Sequence, residues 1–220
     1  MADAVPLTTE TDLVHRWLRG WVECRGWGPV EEVPGGLSLL PRQPGRHREV
    51  VALHDGPDAL AALAAEAPGG DGPTWLTVPT TRPDEVERTL RAAGLTVRGA
   101  RERLMTRDLR THPAREVPAP YRCDTEVDGP VVRVRVRHAS GDLAASGTAS
   151  VLGGDAVADR VETADDHRRR GLGSVVMGVL AAEAVARGAT TGILVASSEG
   201  ERLYSALGWS AGPAVVIASA

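Results

Sequence analysis

The chain has 220 residues, a formal net charge of -4 and 42% hydrophobic residues, enough apolar content for one large or two small globular domains. The acidic balance argues against a general nucleic-acid binder, which carries a basic face. No apolar run approaches the length that crosses a bilayer, and no basic segment followed by an apolar one opens the chain. We therefore expect a cytoplasmic protein with no membrane or nucleic-acid partner.

The first hundred residues predict alternating helices and strands. An amphipathic helix follows a capping Thr9 and carries Trp17 and Trp21 on its apolar face, where large aromatic side chains are more typical of a core than of a ligand pocket. A Gly/Pro-rich passage covers residues 34–45. The later elements are strands at 49–54, 74–78 and 104–109 and helices at 58–67 and 83–93.

The segment 110–120 is the best candidate for a domain boundary, because it is rich in proline and lacks apolar periodicity. It predicts an N-terminal α/β region over residues 1–115 and a second domain over residues 116–220. The two cysteines, Cys24 and Cys123, have neither metal-ligand nor redox-pair spacing. We expect two buried, reduced thiols and no metal.

Beyond the boundary the pattern predicts an antiparallel meander. Valine and arginine alternate over 131–137, as expected of a strand with one solvated face. Glycine-containing turns lead to strands at 143–151 and 156–163. An apolar helix and a further strand at 191–196 follow.

The sequence HRRRGLGS, residues 167–174, joins the meander to that helix. The first amides of a helix lack intrahelical partners, and glycine lets the backbone approach an anion closely, so strand, glycine turn and helix predict an anion cradle. A P-loop requires a lysine, and this chain contains none. A dinucleotide fingerprint requires a third glycine where Val176 stands.

Residues 168–173 fit the pattern R/Q-x-x-G-x-G/A and so resemble the signature of the GNAT superfamily of N-acetyltransferases. The preceding VET, residues 161–163, is similar to the family's V-x-V strand end, although Asp165 stands where many members have proline. Downstream, ERLYSALGW at 201–209 resembles the family's A-x-x-L-Y-x-x-L-G-F ending, with Gly200 for the usual alanine.

The resemblance implies an α/β (α+β) GNAT fold with a mixed central sheet in which two parallel strands, 156–163 and 191–196, splay apart. It implies acetyl-CoA or another acyl-CoA as co-substrate, with its pyrophosphate on the glycine turn and its pantetheine arm in the splay. Ser197 stands where many members place an asparagine with a longer reach. The implied cofactor-binding residues are Val161, Thr163, Arg168, Arg169, Arg170, Gly171, Leu172, Gly173, Ser174 and Ser197.

Catalysis of amine attack on a thioester requires a neutral amine and protonation of the departing thiolate. Tyr204 matches the family's tyrosine near the coenzyme sulfur and is the candidate general acid. Asp159 and Glu162 lie on opposite faces of one predicted strand and are candidate bases, with ordered or bulk water as the alternative. His167 is interpreted as part of the turn.

The leading hypothesis is an acyl-CoA-dependent N-acyltransferase that acts on the primary amine of a small molecule by direct attack in a ternary complex. The alternatives are a protein or peptide N-acetyltransferase and a CoA-binding sensor or scaffold without turnover. The strand and helix order of the N-terminal region resembles half of the same fold and predicts a degenerate GNAT-like unit on the acceptor side. Trp17, Trp21 and Trp27 are candidate walls of an acceptor cleft. Monomer and homodimer both stay open.

Overall fold

The computed structural model describes residues 10–67 and 72–220, so the predicted cap Thr9 lies outside the described residues. The described helices are α1 (Glu10–Arg25), α2 (Pro57–Glu66), α3 (Pro83–Ala92), α4 (Leu172–Ala186) and α5 (Ser198–Ala206). The N-terminal strands are β1 (Glu31–Val33), β2 (Gly36–Leu39), β3 (Arg48–Ala52), β4 (Thr74–Thr80), β5 (Thr96–Val97) and β6 (Glu102–Asp108). The C-terminal strands are β7 (Tyr121–Asp128), β8 (Val131–His138), β9 (Leu143–Leu152), β10 (Asp155–Thr163), β11 (Thr191–Ala196) and β12 (Ser210–Ser219). None of the helices in these ranges is long and apolar enough to cross a membrane.

The described strands form one mixed sheet in the order β1-β2-β3-β4-β12-β6-β11-β10-β9-β8-β7, with β5 paired to β12. Strand β3 is parallel to β4 and β10 is parallel to β11, whereas the other pairs in the described part of the chain are antiparallel. The predicted α/β class with a mixed sheet is confirmed.

The two parts of the chain exchange strands at the centre of this sheet. Strand β12, from the C-terminal part, lies between β4 and β6, and β6, from the N-terminal part, lies between β12 and β11. The register of β6 against β11 runs from Thr191 opposite Asp108 to Ala196 opposite Arg103. Continuous backbone pairing therefore joins the regions on either side of the proline-rich segment 110–120.

Two long strands were not predicted, and both lack a plain alternating pattern. In β7 only Tyr121 is buried, which is typical of an edge strand with a solvated surface. Strand β12 contains Gly212 and Pro213, which interrupt a strand pattern. The register against β6 shifts between Ala211 and Ala214, so the proline is accommodated in a bulge.

Helices α1 and α4 cover opposite faces of the sheet at β9 and β10. Val157 packs in the cluster that contains Trp17 and Leu18 of α1, whereas its neighbour Ala156 packs with α4. Gly20 brings α1 into close contact with the sheet, because a Cβ on Gly20 would lie 2.3 Å from Val157 Cγ2. The two cysteines are free thiols; Cys24 is buried as predicted, but Cys123 is only half-buried.

We predict that Gly20→Ala destabilises the protein, although replacing a helical glycine by alanine in open space stabilises a helix by about 1 kcal/mol. The added methyl group overlaps Val157, and overpacking of this kind costs about 1–3 kcal/mol. Thermal unfolding checks this, with Gly28→Ala as the control because a Cβ there meets nothing within 4 Å. A raised melting temperature for Gly20→Ala would contradict the close packing.

Candidate active site

The centre of the candidate site is the gap that opens between β10 and β11. The parallel register pairs Asp155 with Thr191 and continues only to Ala158 opposite Leu194, although β10 extends to Thr163. A bulge against β9 follows between Asp159 and Glu162, and Arg160 within this bulge adopts a φ of 52°. The predicted splay is confirmed, and it leaves backbone groups of β10 without partners in β11.

The glycine turn ends in an uncapped helix. Gly171 is the N-cap of α4 with a φ of 77°, in the left-handed region that glycine adopts at little cost, and no side chain caps the helix. The first amides of α4 are therefore available to an anion, and the helix dipole adds positive potential at that point. The predicted strand, turn and helix geometry of a cradle is present.

This cradle lines a cleft of about 550 Å³, within the size range of small-molecule sites. Arg170 is the one predicted cofactor-binding residue outside the lining, and its guanidinium donates to the Asp166 carbonyl at 3.1 Å. Glu162 also lines the cleft. The predicted residues that line it are Val161, Thr163, Arg168, Arg169, Gly171, Leu172, Gly173, Ser174 and Ser197.

The arginines of the turn differ in their partners. Arg168 pairs with Asp165 at 3.0 Å and with Glu199 at 3.4 Å, so two carboxylates already balance its charge. Arg169 makes no ion pair within the described ranges and lines the cleft. Arg169 is therefore the cation of the turn that is free to meet a phosphate.

Ser197 and His167 are both engaged in local hydrogen bonds. The Ser197 hydroxyl caps α5 by accepting from the Gly200 amide at 3.1 Å. Nδ1 of His167 lies 3.0 Å from the Tyr121 hydroxyl. His167 is thus held against β7 and does not line the cleft.

Tyr204 lies in α5 with 8% of its surface exposed, and its hydroxyl makes no hydrogen bond to any described residue. Burial, with the negative charge of Asp159 adding to it, raises the pKa of Tyr204 to about 12. The phenol therefore keeps its proton at neutral pH, as a proton donor must.

A second cavity, of about 230 Å³, lies on the α1 side of the sheet and includes Ala158 and Asp159 at the splay. Trp17 and Trp21 line it from α1 and stack on each other with ring centroids 4.9 Å apart. Both indoles are also largely buried in the core. They therefore pack in the core and line the cavity, the two alternatives considered from the sequence. Trp27 is not part of the lining and contacts Trp21 edge-on.

Three arginines surround this second cavity, which we call the tryptophan cavity. Arg46 lies 4.6 Å and Arg98 4.3 Å from the centroid of the Trp75 ring, within cation–π range. The third, Arg25, donates Nη2–H to Asp159 at 2.8 Å, and its Nε–H donates to the other carboxylate oxygen. Asp159 is thus held by both of its oxygens.

Two further carboxylates belong to this charge arrangement. Glu49 is fully buried and accepts from Arg46 at 2.7 Å and from the Thr77 hydroxyl at 2.5 Å. Glu102 lines the cavity and makes no hydrogen bond or ion pair with any described residue. Burial raises the pKa of Glu102, and the charges of Arg46 and Arg98 oppose that rise.

Part of the sequence matches a family model, and the fold is similar to that of solved structures. Residues 154–214 match the model of a family described as FR47-like protein. No curated protein matches the chain significantly. A GCN5-related N-acetyltransferase from Kribbella flavida superposes with a TM-score of 0.72 at 18% identity, covering 98% of this chain and 96% of that one.

The described residues share the fold of this GNAT structure, and residues 154–214 match the FR47-like family model. Two further GNAT structures share the fold. A GCN5-related N-acetyltransferase from Sphaerobacter thermophilus has a TM-score of 0.60 at 12% identity and covers 98% of this chain and 93% of its own. A tandem GNAT protein from the clavulanic acid biosynthesis pathway has a TM-score of 0.61 at 14% identity and covers 84% of this chain and 78% of its own.

Most of the tryptophan cavity was not predicted from the sequence. Arg25, Arg46 and Trp75 come from three separate parts of the chain, and Glu102 opens β6. No local motif joins them, because only the exchange of β6 and β12 brings them together.

We predict that Tyr204 stays protonated up to about pH 11 in the folded protein, since its pKa of about 12 lies above the ordinary value near 10. The raised pKa also means that this group's contribution to stability is present below about pH 10 and is lost as the pH rises towards 12. The measurement is the ultraviolet difference spectrum of wild type against Tyr204→Phe between about pH 9 and 11. Appearance of a second tyrosinate at about pH 10 would show that the hydroxyl is solvated.

Proposed function

We propose that the protein is an acyl-CoA-dependent N-acyltransferase that transfers an acyl group, most often acetyl, to the primary amine of a small molecule in a ternary complex. The observation that carries this proposal is the position of the splay. The cleft that contains the uncapped start of α4 lies at one side of the splay, and the tryptophan cavity lies at the other.

The cleft fits an acyl-CoA in both shape and charge. Gly171 and Gly173 place no side chain of their own at the start of α4, although the Arg115 guanidinium lies close to Gly171. Arg169 lines the cleft beside them and makes no ion pair with a described residue. A pyrophosphate at this place would accept from those amides. The pantetheine amides would bond to backbone groups of Val161 and Thr163 beyond the end of the β11 pairing.

The bound acyl-CoA supplies an activated thioester, and the chain supplies orientation and a proton. The buried Tyr204 hydroxyl holds its proton at neutral pH and gives it to the leaving sulfur. Asp159 and Glu162 stay candidate bases, but Asp159 is held by Arg25 through both oxygens. We assign Asp159 the role of holding α1 against β10 at the splay.

We further propose that the N-terminal region is a degenerate GNAT-like unit that forms the acceptor side. Its β3, α2 and β4 repeat the order of β10, α4 and β11, including the parallel strand pair. The turn before α2 lacks an arginine run and instead contains Asp55, which pairs with Arg82 at 2.8 Å and accepts from Thr80. A carboxylate at this place repels phosphate, so only the C-terminal turn binds an acyl-CoA.

The size of the tryptophan cavity favours a small acceptor over a protein. Its volume of about 230 Å³ is below the range that is usual for drug-sized ligands. Its lining combines charged side chains with apolar ones.

We predict that Gly173→Val weakens acetyl-CoA binding by about tenfold or more, because a branched side chain at the start of α4 enters the space of the phosphates. The fold is retained, since the nearest obstacle is the flexible end of Leu203, 2.9 Å from the new Cβ. Isothermal titration calorimetry measures the affinity. The control is Gly154→Val at the other end of β10, where a Cβ meets only Thr190 Oγ1 at 4.0 Å. Equal affinities of both variants would refute the cradle.

We predict that Tyr204→Phe lowers turnover by about 10²- to 10⁴-fold, the usual range for a lost proton transfer, with little change in acetyl-CoA affinity. The measurement is thiol release from acetyl-CoA with a panel of primary amines. Full activity of the variant would remove Tyr204 from the mechanism. Binding of acetyl-CoA by wild type without turnover of any amine or peptide would instead favour a sensor.

A further inference from the structure

The charges that line the tryptophan cavity do not cancel within the protein. Asp159 neutralises Arg25, and Glu49 neutralises Arg46. The cavity lining also carries Arg98, which is exposed and lies over the Trp75 ring with no ion pair to a described residue, and Glu102, which makes no hydrogen bond or ion pair in the described part of the chain. The cavity thus presents one free cation and one free carboxylate.

The sheet places these two groups along the same edge of β12. Glu102 begins β6 and lies opposite Val215, one residue beyond the last β6–β11 pair, Ala196 opposite Arg103. Arg98 follows β5, and its amide donates to Ile217, two residues further along β12. A ligand that carries two opposite charges close together would meet both groups.

Glu102 is also in a suitable state to exchange a proton. Burial raises its pKa against the opposing charges of Arg46 and Arg98, so its protonated form is easier to reach than that of an exposed glutamate. The apolar floor between the two charges is formed by the indoles of α1 and by Val195, Val215 and Ile217.

From this arrangement we infer that the tryptophan cavity binds a small aminocarboxylic acid with an apolar skeleton, with its ammonium at Glu102 and its carboxylate at Arg98. The inference rests on the proposed function for its chemical step. The binding site itself does not depend on turnover.

The step balances as follows when Glu102 acts as the base. The ammonium gives one proton to Glu102, and the neutral nitrogen forms a C–N bond to the thioester carbonyl as the C–S bond breaks. The sulfur leaves with its electron pair and takes a proton from Tyr204, which regains one from the nitrogen. Glu102 then releases its proton to solvent, so the products are an amide, a thiol and one proton.

The first test is binding without acyl-CoA, monitored by tryptophan fluorescence because three indoles line the cavity. Leucine, phenylalanine and 6-aminohexanoate are compared with leucinamide, 3-methylbutylamine and 4-methylpentanoate, which each lack one charge. We expect an aminocarboxylate to bind about tenfold or more tightly than the probes that lack either group, as is typical of charged hydrogen bonds. Saturable binding of no aminocarboxylate, or equal binding of leucinamide, would overturn the inference.

Two variants test which side chain binds the carboxylate of the ligand and which binds its ammonium group. Arg98→Gln should abolish the preference for leucine over leucinamide, and Glu102→Gln should abolish the preference for leucine over 4-methylpentanoate. Arg88→Gln and Glu31→Gln are matched controls on exposed surfaces outside the cavity and should change neither preference. Retained preferences in both cavity variants would place the ligand elsewhere.

Thiol release separates this inference from the proposed function. If peptides and amines without a carboxylate react as well as aminocarboxylates, the proposed acyltransferase activity is supported and the assignment of the acceptor as an aminocarboxylate is wrong. If aminocarboxylates bind but acetyl-CoA does not, the acceptor site stands and the proposed function fails. If both are correct, Glu102→Gln lowers kcat for the aminocarboxylate while acetyl-CoA affinity measured by calorimetry stays unchanged.

Discussion

Parallel pairing between β10 and β11 stops at Ala158 and Leu194, although both strands continue, and the geometry of the whole site depends on that separation. Unpaired backbone in β10 becomes available on the cleft side beyond this level. Asp159 lines the tryptophan cavity and Glu162 lines the cradle cleft, and the bulge in β10 lies between them.

The tryptophan cavity depends on a different constraint, the balance of charge in a half-buried space. Ion pairs within the protein fix Arg25 and Arg46, and those arginines in turn cover the indoles. A guanidinium group packs flat against an aromatic ring while its N–H groups still bind water. Fixed charges of this kind therefore keep the cavity open and keep one end of it polar. Apolar residues at these positions would have collapsed into the core.

The cradle cleft could be anticipated from the sequence because its signals are local. A strand, a glycine turn and a helix occur within residues 156–186, and almost every residue implied there lines one cleft. The tryptophan cavity was not predictable in this way. The positions of Glu102 and Arg98 in the cavity depend on pairing with β12. The bulge at Gly212 and Pro213 interrupts the strand pattern of β12 in the sequence. Long-range pairing, rather than periodicity, decides where those side chains lie.

The exchange of β6 and β12 also sets the order in which the chain can fold during synthesis. Strand β4 and its helices emerge early, but the neighbour of β4 in the sheet is β12, the last strand of the chain. The edge of β4 therefore stays open until Ser210–Ser219 has been synthesised, and an open strand edge invites pairing with other chains. Strand β4 is thus more exposed to intermolecular pairing in the nascent chain than in the finished sheet.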